Sequence, residues 1–194
     1  MARPLIPPHK VHKSAMDYDR REAKAIPWEE VEDIMEDRTR MIDGDLVDMA
    51  YRGEFDVIIH GCNCFCKMGA GIAKEIARRF PTAYAIDRTT VPGDRGKLGS
   101  YTTVGVRNKH GGNLIIVNLY TQYGYGRDRR HFDYDAFRRG LKSLAPNAGD
   151  LHIGMPMIGA GLAGGDWDRI KQILEEEFAN VNYTVVRYHR RGRW

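Results

Sequence analysis

The chain has 194 residues, 42% of them hydrophobic and 29% charged, which suits one globular domain with an appendage and lies well above the size at which a core becomes marginal. No run approaches the roughly 18 apolar residues of a membrane-spanning helix, and the N-terminus, with four prolines in its first 27 residues, lacks the apolar centre of a secretory signal. The expectation is a cytoplasmic protein without a membrane partner. The net charge of +4, with arginines gathered at Arg127, Arg129 and Arg130 and again at Arg187, Arg190, Arg191 and Arg193, favours an anionic ligand.

Residues 1–39 read as an N-terminal extension. Pro4, Pro7 and Pro8 give an extended start, and Pro27 opens Trp28 to Asp37, where Trp28, Val31, Ile34 and Met35 recur at helical spacing. That pattern predicts an amphipathic helix with an acidic outer face. From there strand-like and helix-like segments alternate. Strands are expected at Thr39 to Asp43 and at Asp56 to His60, where Val57, Ile58 and Ile59 form an apolar run of the kind buried on both faces. Helical spacing follows in Ile72, Ile76, Ala77 and Phe80, with Pro81 as its stop.

Strands at Ser100 to Val106 and Asn113 to Tyr120 are joined in hairpin fashion by Lys109-His110-Gly111-Gly112. A helix from Tyr134 to Leu144 presents Phe137, Leu141 and Leu144 on one face. A strand at Leu151 to Met155, a helix from Trp167 to Phe178 and a strand at Tyr183 to Tyr188 complete the domain, set at residues 40–190 and followed by a basic tail at 191–194. The alternation with a single hairpin predicts an α/β fold, a three-layer α/β/α domain around a mixed central sheet. Ligands in such sheets bind beyond the carboxyl ends of the strands.

Two glycine-rich loops fall at such ends: Gly69-Ala70-Gly71 and Gly159-Ala160-Gly161-Leu162-Ala163-Gly164. Glycine lets backbone approach a ligand, and amides at a helix N-terminus point at an anion, so two such loops suggest a clamp on a diphosphate. The spacing of Gly159, Gly161 and Gly164 matches the dinucleotide fingerprint, yet only thirty residues follow and the next strand is the last, which excludes the usual dehydrogenase domain. Neither loop carries the Gly-Lys-Ser/Thr of a P-loop. The three cysteines, Cys62, Cys64 and Cys66, alternate behind His60; no second ligand pair accompanies them, so they are read as small thiols lining a loop, in a reducing compartment, with neither metal nor cofactor.

Read whole, the motifs Val57-Ile58-Ile59-His60-Gly61-Cys62-Asn63-Cys64 followed by Gly69-Ala70-Gly71-Ile72-Ala73, with Gly44-Asp45-Leu46 before them and Met155 to Trp167 after, resemble a macrodomain over residues 40–190. The chain is similar to the branch of yeast-type ADP-ribose 1''-phosphate phosphatases and terminal ADP-ribose protein glycohydrolases, which have His at the place of His60. The resemblance implies that Asp45 accepts a hydrogen bond from the adenine amino group, with Leu46 beside the ring and Tyr188 packed on it. It implies that Asn63 binds the distal ribose. It also places Gly69, Ala70, Gly71 and Ile72 at the distal ribose and diphosphate, and Gly159, Ala160, Gly161, Leu162 and Ala163 around the phosphates.

The glycohydrolases of that branch use a lysine nucleophile and an aspartate where this chain has Gln122 and Ala163, neither of which can form a covalent sugar intermediate or move its protons. Asp166 reads as the N-cap of the last helix. His60 is left as the titratable candidate catalyst, acting on the terminal phosphate of ADP-ribose 1''-phosphate. The expected function is therefore ADP-ribose binding with metal-independent phosphatase action. The alternatives are a catalytically silent reader of free ADP-ribose or of ADP-ribosylated macromolecules, and a hydrolase of another ADP-ribosyl linkage. Tyr120, Tyr123 and Tyr125 with Arg127 read as a cap on the distal ribose; a platform for single-stranded nucleic acid is the less favoured reading.

Overall fold

The structure, a computed structural model, describes residues 40–188. The helix expected at 28–37 and the tail at 191–194 lie outside the described residues. Six strands form one sheet in the order β1-β6-β5-β2-β4-β3, with β1 at Arg40–Asp43, β2 at Val57–Asn63, β3 at Tyr101–Arg107, β4 at Asn113–Gln122, β5 at Ile153–Pro156 and β6 at Tyr183–Arg187. Every neighbouring pair is parallel except β3 and β4, the expected hairpin. Among the described residues five α-helices accompany the sheet: α1 Leu46–Arg52, α2 Gly71–Arg79, α3 Pro81–Asp87, α4 Tyr134–Leu144 and α5 Trp167–Glu177.

Strand alternation divides the core. Val57 and Ile59 of β2, with Val117 and Leu119 of β4, pack against Phe137 and Leu141 of α4 and Ile170 and Leu174 of α5. Ile58, Leu114 and Ile116 face the other way, onto Leu46, Val47 and Ala50 of α1, Ile76 of α2 and Ala83 of α3. Helices thus cover both faces, giving the three-layer α/β/α arrangement. Each fully buried Ile, Leu or Phe in these layers contributes about 1.5–3 kcal/mol.

Three elements differ from expectation. Helix α1 was not foreseen, although its signals are present: Asp45 Oδ1 accepts from the amides of Val47 at 3.0 Å and Asp48 at 3.1 Å, and Gly53 ends the helix at φ +86°. Pro81 does not only stop α2; it is the first residue of α3, where a missing N–H costs nothing. Strand β2 runs on through His60-Gly61-Cys62 to Asn63, because β4 supplies parallel partners as far as Gln122, across a register shift between Cys62 and Asn63.

Candidate functional site

β2 and β5 pair only at Val57 with Ile153 and Ile58 with Gly154. Beyond Ile58 the two strands part while β2 continues along β4, and a gap opens between their carboxyl ends. The chain leaves β2 toward β4 and β3 on one side, with β5, β6 and β1 on the other, so this is the switch point at which doubly wound sheets take ligands. Two hollows of about 810 and 790 Å³ fill the gap. They share Gly71, Ile72, Pro156, Met157 and Gly161, and therefore form one cleft with a waist.

Both glycine loops meet at that waist. Gly71 opens α2 at φ +55°, and a Cβ there would lie 3.6 Å from Leu162 of the other loop. No side chain caps α2, so its first amides are free to face an anion. In the second loop Gly159 has φ +81°, and any Cβ would drive into the Phe132 ring. That tight seat turns the following backbone outward: the amides of Gly161, Leu162 and Ala163 have no partner among the described residues, while Gly164 and Gly165 donate back to Gly161 and Gly159 and close the loop. Two sets of amides thus converge across the cleft from opposite layers.

The proximal hollow is lined by Asp45, Leu46, Val186, Arg187 and Tyr188 beside Ala160. Asp45 is both cap and lining: Oδ1 holds the α1 amides, and Oδ2 stands outside the cap. Leu46 is buried beneath, and Tyr188 is 66% exposed at the rim, accessible to a flat ring. Arg187 is occupied by a fork onto Asp43 at 2.7 and 3.2 Å.

The distal hollow is lined by Gly69, Ala70 and Ile72 on one side and by Gly159, Leu162 and Ala163 on the other, with Asn63 on its floor. Asn63 is committed to its own turn: Oδ1 accepts from the amides of Phe65 at 3.0 Å and Lys67 at 3.2 Å, and Nδ2 donates to the Lys67 carbonyl at 2.7 Å. One Nδ2 hydrogen remains for a ligand. Gln122 and Ala163 line this hollow and bring neither nucleophile nor acid. Asp166 caps α5 through the Arg169 amide at 3.2 Å, as its position before Trp167 suggests.

His60 requires a correction. Alternation turns it away from the face of Gly61, onto the α3 side, where it is fully buried and lines neither hollow. Its Nε2 lies 2.7 Å from Asn118 Oδ1, and loss of hydration pushes its pKa down to about 4. It is a packed structural histidine, and it does not reach a ligand in the cleft. Tyr120 is also buried, its hydroxyl donating to Asp87 Oδ1 at 2.7 Å, so of the tyrosine segment only Tyr125, with Arg127, lines the distal hollow.

The three cysteines are buried free thiols, and burial raises the Cys62 pKa. Among the described residues no group of three or more His, Cys, Asp and Glu side chains is arranged to hold a metal ion. Two residues escaped the sequence reading. Lys97 is buried with Nζ donating to the Cys64 carbonyl at 3.0 Å and Thr90 Oγ1 at 2.6 Å, pinning the loop after β2; nothing in its local sequence signals this. Thr121 lines the distal hollow, and its place one residue beyond the buried Tyr120, on the opposite face of β4, was the available signal.

A mixed sheet split at β2 and β5, with paired glycine loops over the split, defines a macrodomain, and the chain belongs to that family. It is 34% identical over 152 residues to an uncharacterized 17.5 kDa protein of Enterobacteria phage T4, a match spanning 76% of this chain and 94% of the relative. It is 28% identical to the ADP-ribose 1''-phosphate phosphatase of Debaryomyces hansenii, over 69% of this chain and 89% of that enzyme. Among solved structures, the macrodomain protein from Streptomyces coelicolor superposes with a TM-score of 0.58 at 26% identity, covering 79% of this chain and 99% of that one. No family model matches the chain. Among the described residues no helix is long and apolar enough to cross a membrane.

Proposed function

We propose that this protein binds ADP-ribose and hydrolyses the phosphomonoester of ADP-ribose 1''-phosphate without a metal. The observation that carries the reading is the waisted cleft itself: two hollows joined where unpartnered amides of both glycine loops converge. That shape suits a ligand with a base at one end, a sugar at the other and a diphosphate between. Asp45, Leu46 and Tyr188 would hold the adenine. Gly71 and Ile72 with Gly159, Ala160 and Gly161 would hold the diphosphate, and Asn63, Gly69, Ala70, Leu162 and Ala163 the distal ribose.

The enzyme of Debaryomyces hansenii, named for this reaction, supports the choice of substrate. Phosphoryl transfer asks the protein chiefly to position and to stabilise charge. Attack of water on phosphorus breaks the bond to the C1'' oxygen and releases inorganic phosphate and ADP-ribose, and amides aimed at the phosphoryl oxygens stabilise the charge that grows there. An ADP-ribose group on a macromolecule would enter by the same cleft. Buried free thiols suit the reducing cytoplasm.

The test is a phosphorus NMR time course of ADP-ribose 1''-phosphate with the purified protein in EDTA. Loss of the monoester signal with growth of inorganic phosphate is expected. Broadening without turnover would make the protein a reader of ADP-ribose and sink the phosphatase assignment.

A further inference from the structure

Two polar groups of the distal hollow are left unused by the fold. Thr121, at the end of β4, is 1% exposed, and its Oγ1 has no hydrogen-bond partner among the described residues. A buried hydroxyl left bare costs about 1–3 kcal/mol, so native folds rarely keep one without a use. The other bare atoms among the described buried side chains, Arg79 Nε and Asp87 Oδ2, belong to groups anchored through another atom, onto Asp48 and Tyr120, and neither residue lines a hollow. Thr121 alone of the three borders the cleft. Opposite it is Gly61, where a Cβ would stand 2.8 Å from the hydroxyl and 3.2 Å from Ile158; any side chain there would press on that oxygen.

Arg127 lines the same hollow and has neither an ion pair nor a hydrogen bond among the described residues. The nearby acid is spent elsewhere, since Asp128 holds His131 at 3.0 Å and Arg129 at 3.8 Å, and Arg130 lies over the Tyr134 ring. Charge sorts the two ends. The distal lining contains Lys67 and Arg127 and no carboxylate, whereas the proximal lining balances Lys74 and Arg187 against Asp45 and Glu75. A sugar terminus carrying only hydroxyls does not call for such a field; a dianion does.

We infer that Arg127 and Thr121 form a subsite for a terminal phosphomonoester at the distal end of the cleft, and that they set the preference for the phosphorylated ligand over its bare-sugar counterpart. The guanidinium pairs with the phosphate in a fork, and the Thr121 hydroxyl donates to one of its oxygens. The inference rests on ADP-ribose as the ligand of the cleft and adds which side chains recognise its terminal phosphate.

The experiment compares the full chain with Arg127→Gln, Arg127→Lys, Thr121→Val and Thr121→Ser. Calorimetric affinities for ADP-ribose and ADP-ribose 1''-phosphate are measured at low and high salt, together with phosphate release. The wild type is expected to favour the phosphorylated ligand, less so at high salt. Arg127→Gln should cut that preference about tenfold and flatten its salt dependence, with partial recovery in Arg127→Lys. Thr121→Val should lower kcat/KM on the phosphomonoester while melting no lower than the wild type, because it removes a bare hydroxyl; Thr121→Ser should restore the rate. If the wild type releases phosphate and these variants keep both its preference and its rate, the subsite is wrong and the phosphatase reading stands. If the wild type neither discriminates nor turns over, both fall.

Discussion

Between Ile58 and Cys62 on one face of β2, the His60 ring is sealed from water with Asn118 beside it. The tautomer follows from the neighbours. Asn118 Nδ2 donates to the Ala83 carbonyl at 2.9 Å and contacts Thr102 Oγ1 at 3.0 Å, which turns its Oδ1 toward His60. Nε2 therefore carries the hydrogen, and Nδ1 is left to accept from the Cys62 thiol 3.7 Å away. Burial outweighs the help that Asn118 and the Gly61 backbone give to the charged form and holds the pKa at about 4, against 6.5 for a free imidazole. In the unfolded chain the ring binds its proton near pH 6.5, so stability falls as pH drops from 6.5 toward 4 and levels off below. The shift corresponds to about 3 kcal/mol. Chemical denaturation of wild type and His60→Gln across pH 4–7 should show this acid-side loss in the wild type only; parallel curves would place the ring in water after all. The sequence exposed His60 as unusual. It did not reveal the face, because alternation within a strand becomes readable only once the strand's end is known, and β2 runs four residues past the point where its apolar run stops.

Helix α1 shows how an element can hide beneath a ligand motif. Gly44-Asp45-Leu46 reads as binding chemistry, yet the same Asp45 carboxylate begins a seven-residue helix whose Leu46, Val47, Met49 and Ala50 are buried. The two duties occupy different oxygens, so they are separable. In Asp45→Asn the amide oxygen can still accept from Val47 and Asp48, while a donor NH₂ replaces the oxygen proposed to face the adenine amino group. Thermal stability should stay within about 0.5 kcal/mol while ADP-ribose affinity drops about tenfold. Asp45→Ala should lose the cap as well, roughly 1 kcal/mol more. Equal affinity in the wild type and Asp45→Asn would remove Asp45 from base recognition and leave it a cap. The hidden boundary between α2 and α3 has the same origin: proline ends one helix and starts another with equal ease, and the sequence alone carries only the punctuation.

At the scale of the molecule, the alternating pattern predicted the layers, the hairpin and the convergence of both glycine loops at the strand ends. What it could not supply is the parting of β2 from β5, which depends on how few residues of β5 pair before Pro156, and hence the size and waist of the cleft. The described residues 40–188 supply both layers of the core. We propose a domain boundary near residue 40, in which case a chain of residues 40–190 should unfold in one cooperative transition. If the cleft is complete within it, ADP-ribose at a hundred times its Kd should stabilise both the short and full-length chains by about 2.7 kcal/mol, or roughly 5–11 °C in Tm. An equal shift in the two would assign the first 39 residues a task other than shaping the pocket, such as docking a partner. A short chain that folds but shows no shift would make those residues part of the ligand site, and the domain would then have to be redrawn to include them.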